Sequence, residues 1–170
     1  QDEIRLTIRG AFPVFRYEQT DASIAGFDLA ATCTFSPKWN AVVKYSFIRG
    51  TDRGNDLPLI NMPSNTLFGS LNHQLPKLGK LENIELELNN HLVFEQTRLL
   101  ASQDFTDAPA TYNLVGMKMT AEQQLASFRL NYHLRVDNLL NVSYRDYLNR
   151  LRYFADGLGI NVVLGIGLSF

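Results

Sequence analysis

The stretch that decides the fold is ASFRLNYHLRVD, residues 126–137. Its even-numbered residues, from Ala126 to Val136, are all apolar, and its odd-numbered residues, from Ser127 to Asp137, are all polar. Successive side chains of a β-strand point to opposite faces of the sheet, so this alternation predicts a strand with one apolar and one polar face. A helix of the same sequence would distribute its arginines around the axis.

The same alternation recurs along the chain and predicts eight strands. It is regular in five stretches, residues 25–35, 39–47, 84–95, 126–137 and 161–170. It is weaker in residues 66–75 and 111–121, and it is short in residues 4–9.

The connections between these strands alternate between long and short. The long ones are residues 10–22, 50–65, 101–110 and 138–159, and the short ones are residues 36–38, 76–83 and 120–124. In an up-and-down meander this order places every long connection at one end of the strands and every tight turn at the other. Transmembrane barrels of the outer-membrane type have this asymmetry.

Composition excludes several classes of protein. The formal net charge of −1 over 170 residues does not provide the basic surface of a nucleic-acid binder. The single cysteine, Cys33, excludes an internal disulfide and a cysteine-based metal cluster. No stretch approaches the ~20 apolar residues of a membrane-spanning helix. The chain lacks an initiator Met and a basic-then-apolar leader, so we expect either a mature form or an excised segment.

Alternation alone leaves the orientation of the sheet open. A soluble β-sandwich or a lipocalin-like barrel has the same pattern with its apolar face inward. Long regular strands, long loops at one end and the terminal aromatic residue favour a membrane barrel.

Three stretches resemble a known family. Residues 136–147, VDNLLNVSYRDY, resemble the V-x-N-L-[FL]-[ND]-x-x-Y-R-D segment near the end of TonB-dependent outer-membrane receptors. Residues 17–28, YEQTDASIAGFD, and 57–65, LPLINMPSN, are similar to two upstream segments of that family. The sequence departs from the family at residues 159–161 and 62–65, where arginines are often found, which weakens assignment to a subfamily but not to the fold.

The resemblance implies an all-β fold, an antiparallel up-and-down transmembrane β-barrel segment of about eight strands. These would be the last strands of a 22-stranded barrel plugged by an N-terminal domain. Residues 1–170 would then form the C-terminal barrel segment without the plug, and its edge strands would have to close on each other, pair with other copies or pair with the rest of the receptor.

The resemblance also implies a function. The chain would be part of a receptor in the bacterial outer membrane that imports a scarce nutrient, above all a siderophore or another ferric chelate. Its implied partners are outer-membrane lipid, the remaining barrel and plug, TonB through the plug, the barrel-assembly machinery and the small-molecule substrate, with no nucleic acid and no cofactor. Without the plug, the isolated chain is expected to be inactive in import.

Two other functions remain open. The chain would otherwise be a complete small eight-stranded outer-membrane barrel with an adhesive or structural role, or a soluble ligand-binding β-barrel. We predict no enzymatic activity and no catalytic residues, because the sequence has no Gly-rich phosphate loop, no G-x-S-x-G and no H-E-x-x-H motif.

The longest connection, residues 138–159, holds the candidate ligand-binding residues. A basic, aromatic outer loop would attract an anionic ferric chelate by charge. The candidates are Tyr144, Arg145, Arg150 and Arg152. We expect a helical turn or two here, capped by Ser143 with Asp146 and ended by Gly157. The alternative is an extended loop folded over the barrel mouth.

A second set of candidates lies on the predicted polar faces. In a receptor barrel these residues would face the lumen: Glu85, Glu87, His91, Arg129, His133 and Arg135. We expect the two arginines to pair with Glu85 or Glu87 across the sheet. The alternative is a hydrated wall without a specific ligand. The two histidines lack cysteine or closely spaced carboxylate partners, so no metal site is predicted.

The last strand carries a candidate assembly signal. Leu164, Ile166, Leu168 and Phe170 give an apolar residue at every second position and an aromatic end. This pattern resembles the signal that the outer-membrane assembly machinery reads by edge pairing. The alternative is an ordinary last strand that ends in an aromatic residue.

Overall fold

The structure, a computed structural model, describes residues 2–9, 12–100 and 104–170, with side chains from residue 19 onward. The described residues form ten strands. These are β1 (Asp2–Arg9), β2 (Phe12–Gln19), β3 (Ala22–Ser36), β4 (Trp39–Asp52), β5 (Leu57–Pro58), β6 (Thr66–Gln74), β7 (Leu81–Val93), β8 (Tyr112–Leu125), β9 (Phe128–Asp137) and β10 (Asn161–Ser169). A single-turn 3-10 helix covers Arg150–Tyr153. No helix within the described ranges is long and apolar enough to cross a bilayer.

The main sheet is an antiparallel up-and-down meander, as the sequence predicts. Its strands follow one another in chain order from β3 through β4 and β6 to β10, with the short β5 paired to the end of β4. β1 and β2 form a separate two-stranded hairpin. The architecture is that of a segment of an up-and-down β-barrel.

The N-terminal prediction is partly wrong. Residues 10–22 were expected to be a long connection, but β2 occupies Phe12–Gln19 and the predicted strand at residues 4–9 pairs with it instead of joining the main sheet. Pro13 argues against a strand, and the adjacent apolar residues Val14 and Phe15 hide the alternation, which explains the miss. Residues 10 and 11 lie outside the described residues.

Long and short connections separate to opposite rims of the main sheet. The long-loop rim carries loop A (residues 53–65), loop B (residues 94–111) and loop C (residues 138–160). The tight-turn rim carries residues 37–38, 75–80 and 126–127. The predicted turn at residues 120–124 is wrong, since β8 continues to Leu125. The chain reverses at Ala126, whose φ of 37° suits a tight turn.

The register places the apolar side chains of all seven main strands on one face. One row across the sheet contains Cys33, Ala41, Leu71, Leu88, Met117, Val136 and Val162. The neighbouring row, on the opposite face, contains Thr34, Asn40, Asn72, Glu87, Lys118, Arg135 and Val163. The sheet therefore has an apolar face and a polar face.

No second layer covers the apolar face within the described part of the chain. Leu164 is 77% exposed, Ile166 is 72% exposed and Leu29 is 61% exposed. Few apolar residues are fully buried: Leu59 and Tyr147 lie in loops A and C, and the others lie in strands, namely Ile84, Val93, Ala121 and Val136. A soluble sandwich would bury this face against another sheet.

Aromatic residues mark both ends of the apolar face. Towards the long-loop rim, the ring of Phe27 lies 5.2 Å from Phe47 and 6.0 Å from Tyr45 between centroids. Towards the tight-turn rim, Trp39 stacks on His73 at 3.9 Å. Phe27 and Phe35, two aromatic residues near opposite ends of β3, are separated by roughly 27 Å along the strand. If the strands tilt by about 40° from the barrel axis, the separation of the two rings along that axis is roughly 20 Å. The apolar band of an outer-membrane barrel is about 25 Å tall.

The close approach of β3 to β4 depends on Gly26. A Cβ atom at this position would lie 2.4 Å from the carbonyl oxygen of Phe47 and 3.0 Å from the Cα of Ile48, both of them backbone atoms. We predict that Gly26→Ala lowers the free energy of unfolding by about 1–3 kcal/mol, because the two strands must separate.

The measurement is the urea midpoint of the protein in detergent. Gly69→Ala is the matched control, because nothing lies within 4 Å of a Cβ atom at that glycine. Equal midpoints for the two variants would contradict the prediction.

Candidate functional site

The three long loops contact one another at their rim. In loop B, Gln96 Nε2 donates hydrogen bonds to the carbonyl oxygens of Met62 and Pro63 in loop A, at 2.9 and 3.0 Å. Leu59 and Met62 also close over Gly50 on the polar face of β4, where a Cβ atom would lie within 3 Å of both side chains. Loop A therefore folds towards the polar face and is held there by loop B.

A buried arginine joins loop B to loop C. Arg152 is 4% exposed and forms an ion pair with Asp104. Its guanidinium carbon lies 4.9 Å from the ring centroid of Tyr147 and 4.6 Å from that of Tyr153. The hydroxyl of Tyr153 donates a 2.6 Å hydrogen bond to the same carboxylate. These four side chains are called the loop latch below.

The phenols of the loop latch are held in their neutral form. Burial, and then the hydrogen bond to Asp104, raises the pKa of Tyr153 to about 12. Burial raises the pKa of Tyr147 as well, with a smaller contribution from the negative charge of Asp104. A phenol with its ordinary pKa of 10 is already neutral at pH 7, so these shifts extend the neutral, donating form of both side chains to more alkaline pH.

Loop C closes on itself as a hairpin. The Nε of Arg145 lies 2.6 Å from Asp156 Oδ1, and its Nη1 donates to the carbonyl oxygen of Arg152 at 2.9 Å. Hydrogen bonds from Ser143 and then Arg145 lower the pKa of Asp156, which stays ionised at neutral pH. The backbone N–H of Gly157 donates to the carbonyl oxygen of Tyr144 at 2.7 Å.

The predicted helical turn is present in this loop, but its predicted cap and its predicted end are wrong. The one helical turn, Arg150–Tyr153, is capped by Asn149, whose side chain accepts from the N–H of Leu151 at 3.0 Å. Ser143 does not cap it, since its hydroxyl donates to Asp156 instead. Gly157 does not end a helix either. It leaves room for the ring of Tyr144, which would lie 2.4 Å from a Cβ atom there.

Tyr144 fixes loop C against the start of β8. Its ring centroid lies 4.7 Å from that of Tyr112, and the hydroxyl of Tyr112 donates to Asp146 at 2.9 Å. Asn138 holds the base of the loop, since its side-chain amide donates to the carbonyl oxygens of Val142 and Leu158 at 2.8 and 3.1 Å. Sequence reasoning missed this role of Asn138, although asparagine is a residue type that tolerates its positive φ of 50°.

A cavity of about 350 Å³ lies between loop C and the polar face of the sheet. Amide, imidazole and aromatic groups line it, including Phe68, Asn89, His91, Tyr144 and Asn161. It offers hydrogen-bond donors and acceptors together with ring surfaces. Among the described residues, no group of three or more histidine, cysteine or carboxylate side chains could hold a metal ion.

Three of the four predicted ligand-binding residues of loop C make contacts within the protein. Tyr144 packs on Tyr112, Arg145 pairs with Asp156, and Arg152 belongs to the loop latch. Arg150 is exposed at the start of the 3-10 helix. Ligand binding by these four residues stays a prediction.

The predicted lumen-facing residues share the polar face. The register aligns Glu85, Glu87, His91, Arg129, His133 and Arg135 there. The expected ion pairs between the two arginines and Glu85 or Glu87 are wrong, because β8 lies between β7 and β9. Arg129 instead pairs with Glu122 at 3.4 Å, and Arg135 pairs with Asp137 at 3.1 Å.

The residues of the predicted assembly signal lie on an edge of the main sheet. Leu164, Ile166 and Leu168 project from the apolar face of β10, and Phe170 follows the end of the strand. All four are more than half exposed. Recognition by the assembly machinery stays a prediction.

The fold and the rim define a class of structure, a segment of an up-and-down β-barrel whose long loops close over its polar face. No family model and no curated protein matches the chain. The chain is similar to a solved structure described as the copper transporter OprC, with a TM-score of 0.77 and 16% sequence identity. The match covers 95% of this chain and 26% of that one, so the chain spans about a quarter of the transporter's length. At this identity the likeness shows the fold.

The loop latch generates a prediction about the rim. Replacing Arg152 by Met leaves Asp104 buried without its counter-charge, and breaking a buried ion pair costs about 3–5 kcal/mol. We expect loops B and C to separate and to be cleaved much faster by a protease. Limited proteolysis with mapping of the cleavage sites is the measurement. Arg150→Met, at an exposed arginine of the same loop, is the control and should cleave like the parent protein; equal protection of both variants would contradict the latch.

Proposed function

We propose that the chain is part of a β-barrel receptor of the bacterial outer membrane that imports a scarce small-molecule nutrient. The observation that carries the proposal is the exposed apolar face, which extends in register across seven strands and has aromatic residues at both ends. In lipid this face would be solvated by acyl chains, while the backbone groups are paired within the sheet. We propose no catalytic role for the chain.

The polar face would form part of the import path. Glu85, His91, Arg135 and their neighbours on this face would line the lumen, and loops A, B and C would lie at the outer mouth. Motifs resembling those of TonB-dependent receptors and a fold shared with a copper transporter both support transport. In the complete receptor the plug and TonB would drive import, and the barrel-assembly machinery would insert the protein by pairing with the edge of β10.

The proposed substrate is an organic ferric chelate such as a siderophore. The cavity under loop C supports this choice, because its amides, imidazole and aromatic rings suit the polar and ring atoms of an organic ligand. Asn89 and His91 would offer hydrogen bonds, and Phe68 and Tyr144 would offer ring surfaces.

The orientation of the sheet can be tested with tryptophan fluorescence. Trp39 is the chain's single tryptophan, so Trp39→Phe gives a blank background. Into it we would place Leu134→Trp on the apolar face or Arg135→Trp on the polar face, two neighbouring positions of β9. In vesicles of lipids brominated on their acyl chains, we expect strong quenching at position 134 and little at 135, because adjacent strand residues face opposite sides.

Two outcomes would contradict the orientation. Stronger quenching at position 135 would mean that the polar face meets lipid. A protein that stays soluble and monomeric without detergent, with no quenching at either position, would favour the soluble ligand-binding barrel.

The transport role can be tested by uptake in the bacterium that makes the protein. We expect deletion of the gene to abolish uptake of at least one radiolabelled ferric chelate, and loss of TonB to have the same effect. Copper uptake serves as the competing assay. Uptake of ferric chelates that is unchanged by the deletion would refute the proposed substrate, and a loss of copper uptake alone would replace it. This chain expressed alone should not restore import.

A further inference from the structure

An arginine interrupts the apolar face just above its outer aromatic residues. Arg49 lies in β4 on the same face as Tyr45 and Phe47, and it is exposed. Its guanidinium carbon lies 4.7 Å from the ring centroid of Phe47. The face that we assign to lipid therefore ends in a cation held over an aromatic ring.

A second arginine reaches the same place from loop B. Arg98 Nη2 donates to Thr51 Oγ1 at 3.3 Å. Thr51 lies two residues beyond Arg49 in β4. The side chains of Thr51 and Arg49 are therefore on the same face of the strand, and their Cα atoms lie about 7 Å apart. Both arginines also line one small cleft, which Glu95 and Gln96 border and whose other side is formed by Gly50, Leu59 and Met62.

Neither arginine forms an ion pair with another described residue, although Glu95 borders the same cleft. Within the described ranges, no carboxylate oxygen lies within the 4.0 Å ion-pair distance of either guanidinium. This contrasts with Arg145 and Arg152 on the same rim, which have Asp156 and Asp104 as partners. Arg49 and Arg98 therefore keep donors available for an external anion.

We propose that Arg49 and Arg98 bind a phosphate group of an outer-leaflet glycolipid, a site that rests on the proposed outer-membrane function. Guanidinium groups match phosphate with paired, charge-assisted hydrogen bonds. The site lies beyond the aromatic residues of the apolar band, at the height of lipid headgroups. The acyl chains of the same lipid would run down the apolar face past Phe47 and Phe27.

The experiment measures binding of lipid A, the phosphorylated glycolipid anchor of the outer leaflet. The protein would be purified in detergent from outer membranes, stripped of lipid and titrated with lipid A, with bound copies counted by native mass spectrometry. We expect Arg49→Gln and Arg98→Gln each to weaken binding about tenfold, as the loss of a charge-assisted hydrogen bond implies. Arg53→Gln, an exposed arginine next along the same rim, is the matched control and should bind like the parent protein.

Two further measurements distinguish a lipid phosphate from free inorganic phosphate as the ligand. Lipid A lacking its phosphates should bind the parent protein as weakly as lipid A binds the Arg49→Gln, Arg98→Gln double variant. Millimolar inorganic phosphate should not compete, because it lacks the acyl chains that reach the apolar face. Competition by inorganic phosphate would overturn the lipid assignment, and so would an equal loss in the Arg53→Gln control or unchanged binding in the double variant.

Insertion into the bilayer is read separately by quenching of Trp39 in vesicles of brominated lipid. If the variants insert like the parent protein and still bind lipid A normally, the lipid site is wrong and the membrane function stands. If the parent protein itself fails to insert, the proposed function is wrong.

Discussion

Everything in this structure depends on keeping a period of two in register across neighbouring strands. A slip of one residue between two strands would move every side chain of one strand to the opposite face. The row from Cys33 to Val162 shows that no such slip occurs over the seven main strands. The irregularities in pairing lie near the tight-turn rim, between Thr34 and Ser36 and between Glu82 and Glu85. A wide apolar surface and a continuous polar surface therefore result from one rule applied strand by strand.

The sequence predicted the faces well, because each strand carries its own alternation. The period in residues 126–137 already assigns Leu134 and Arg135 to opposite sides, whatever their neighbours are. Pairing between strands is a different matter, since it depends on which strand lies next. Arg129 therefore forms its ion pair with Glu122 on β8 and not with a glutamate on β7. Strand ends were also missed where composition misleads, as at Thr120, which looks like the start of a turn but lies within β8.

The loops were the least predictable part, because their contacts join residues far apart in the chain. The local pattern of loop C predicted a helical turn, which forms at Arg150–Tyr153, but it did not predict the hairpin contacts of Arg145 or the burial of Arg152. No local signal identifies Asp104 as the partner of Arg152, which lies 48 residues away. A buried ion pair is weak evidence of added stability. Its effect here is to specify which loops lie together, so that the rim has one arrangement over the polar face.

The stack of Trp39 on His73 makes the protein's intrinsic emission a local reporter. Because the sequence holds no other indole, tryptophan fluorescence, as distinct from that of the seven tyrosines, comes from one side chain beside the turn between β3 and β4. The imidazole ring of His73 contacts the indole ring, so the emission of Trp39 is sensitive to the charge of His73. Tryptophan spectra recorded during refolding would therefore follow the pairing of β4 with β3 and β6 around Trp39, and not that of the more distant strands.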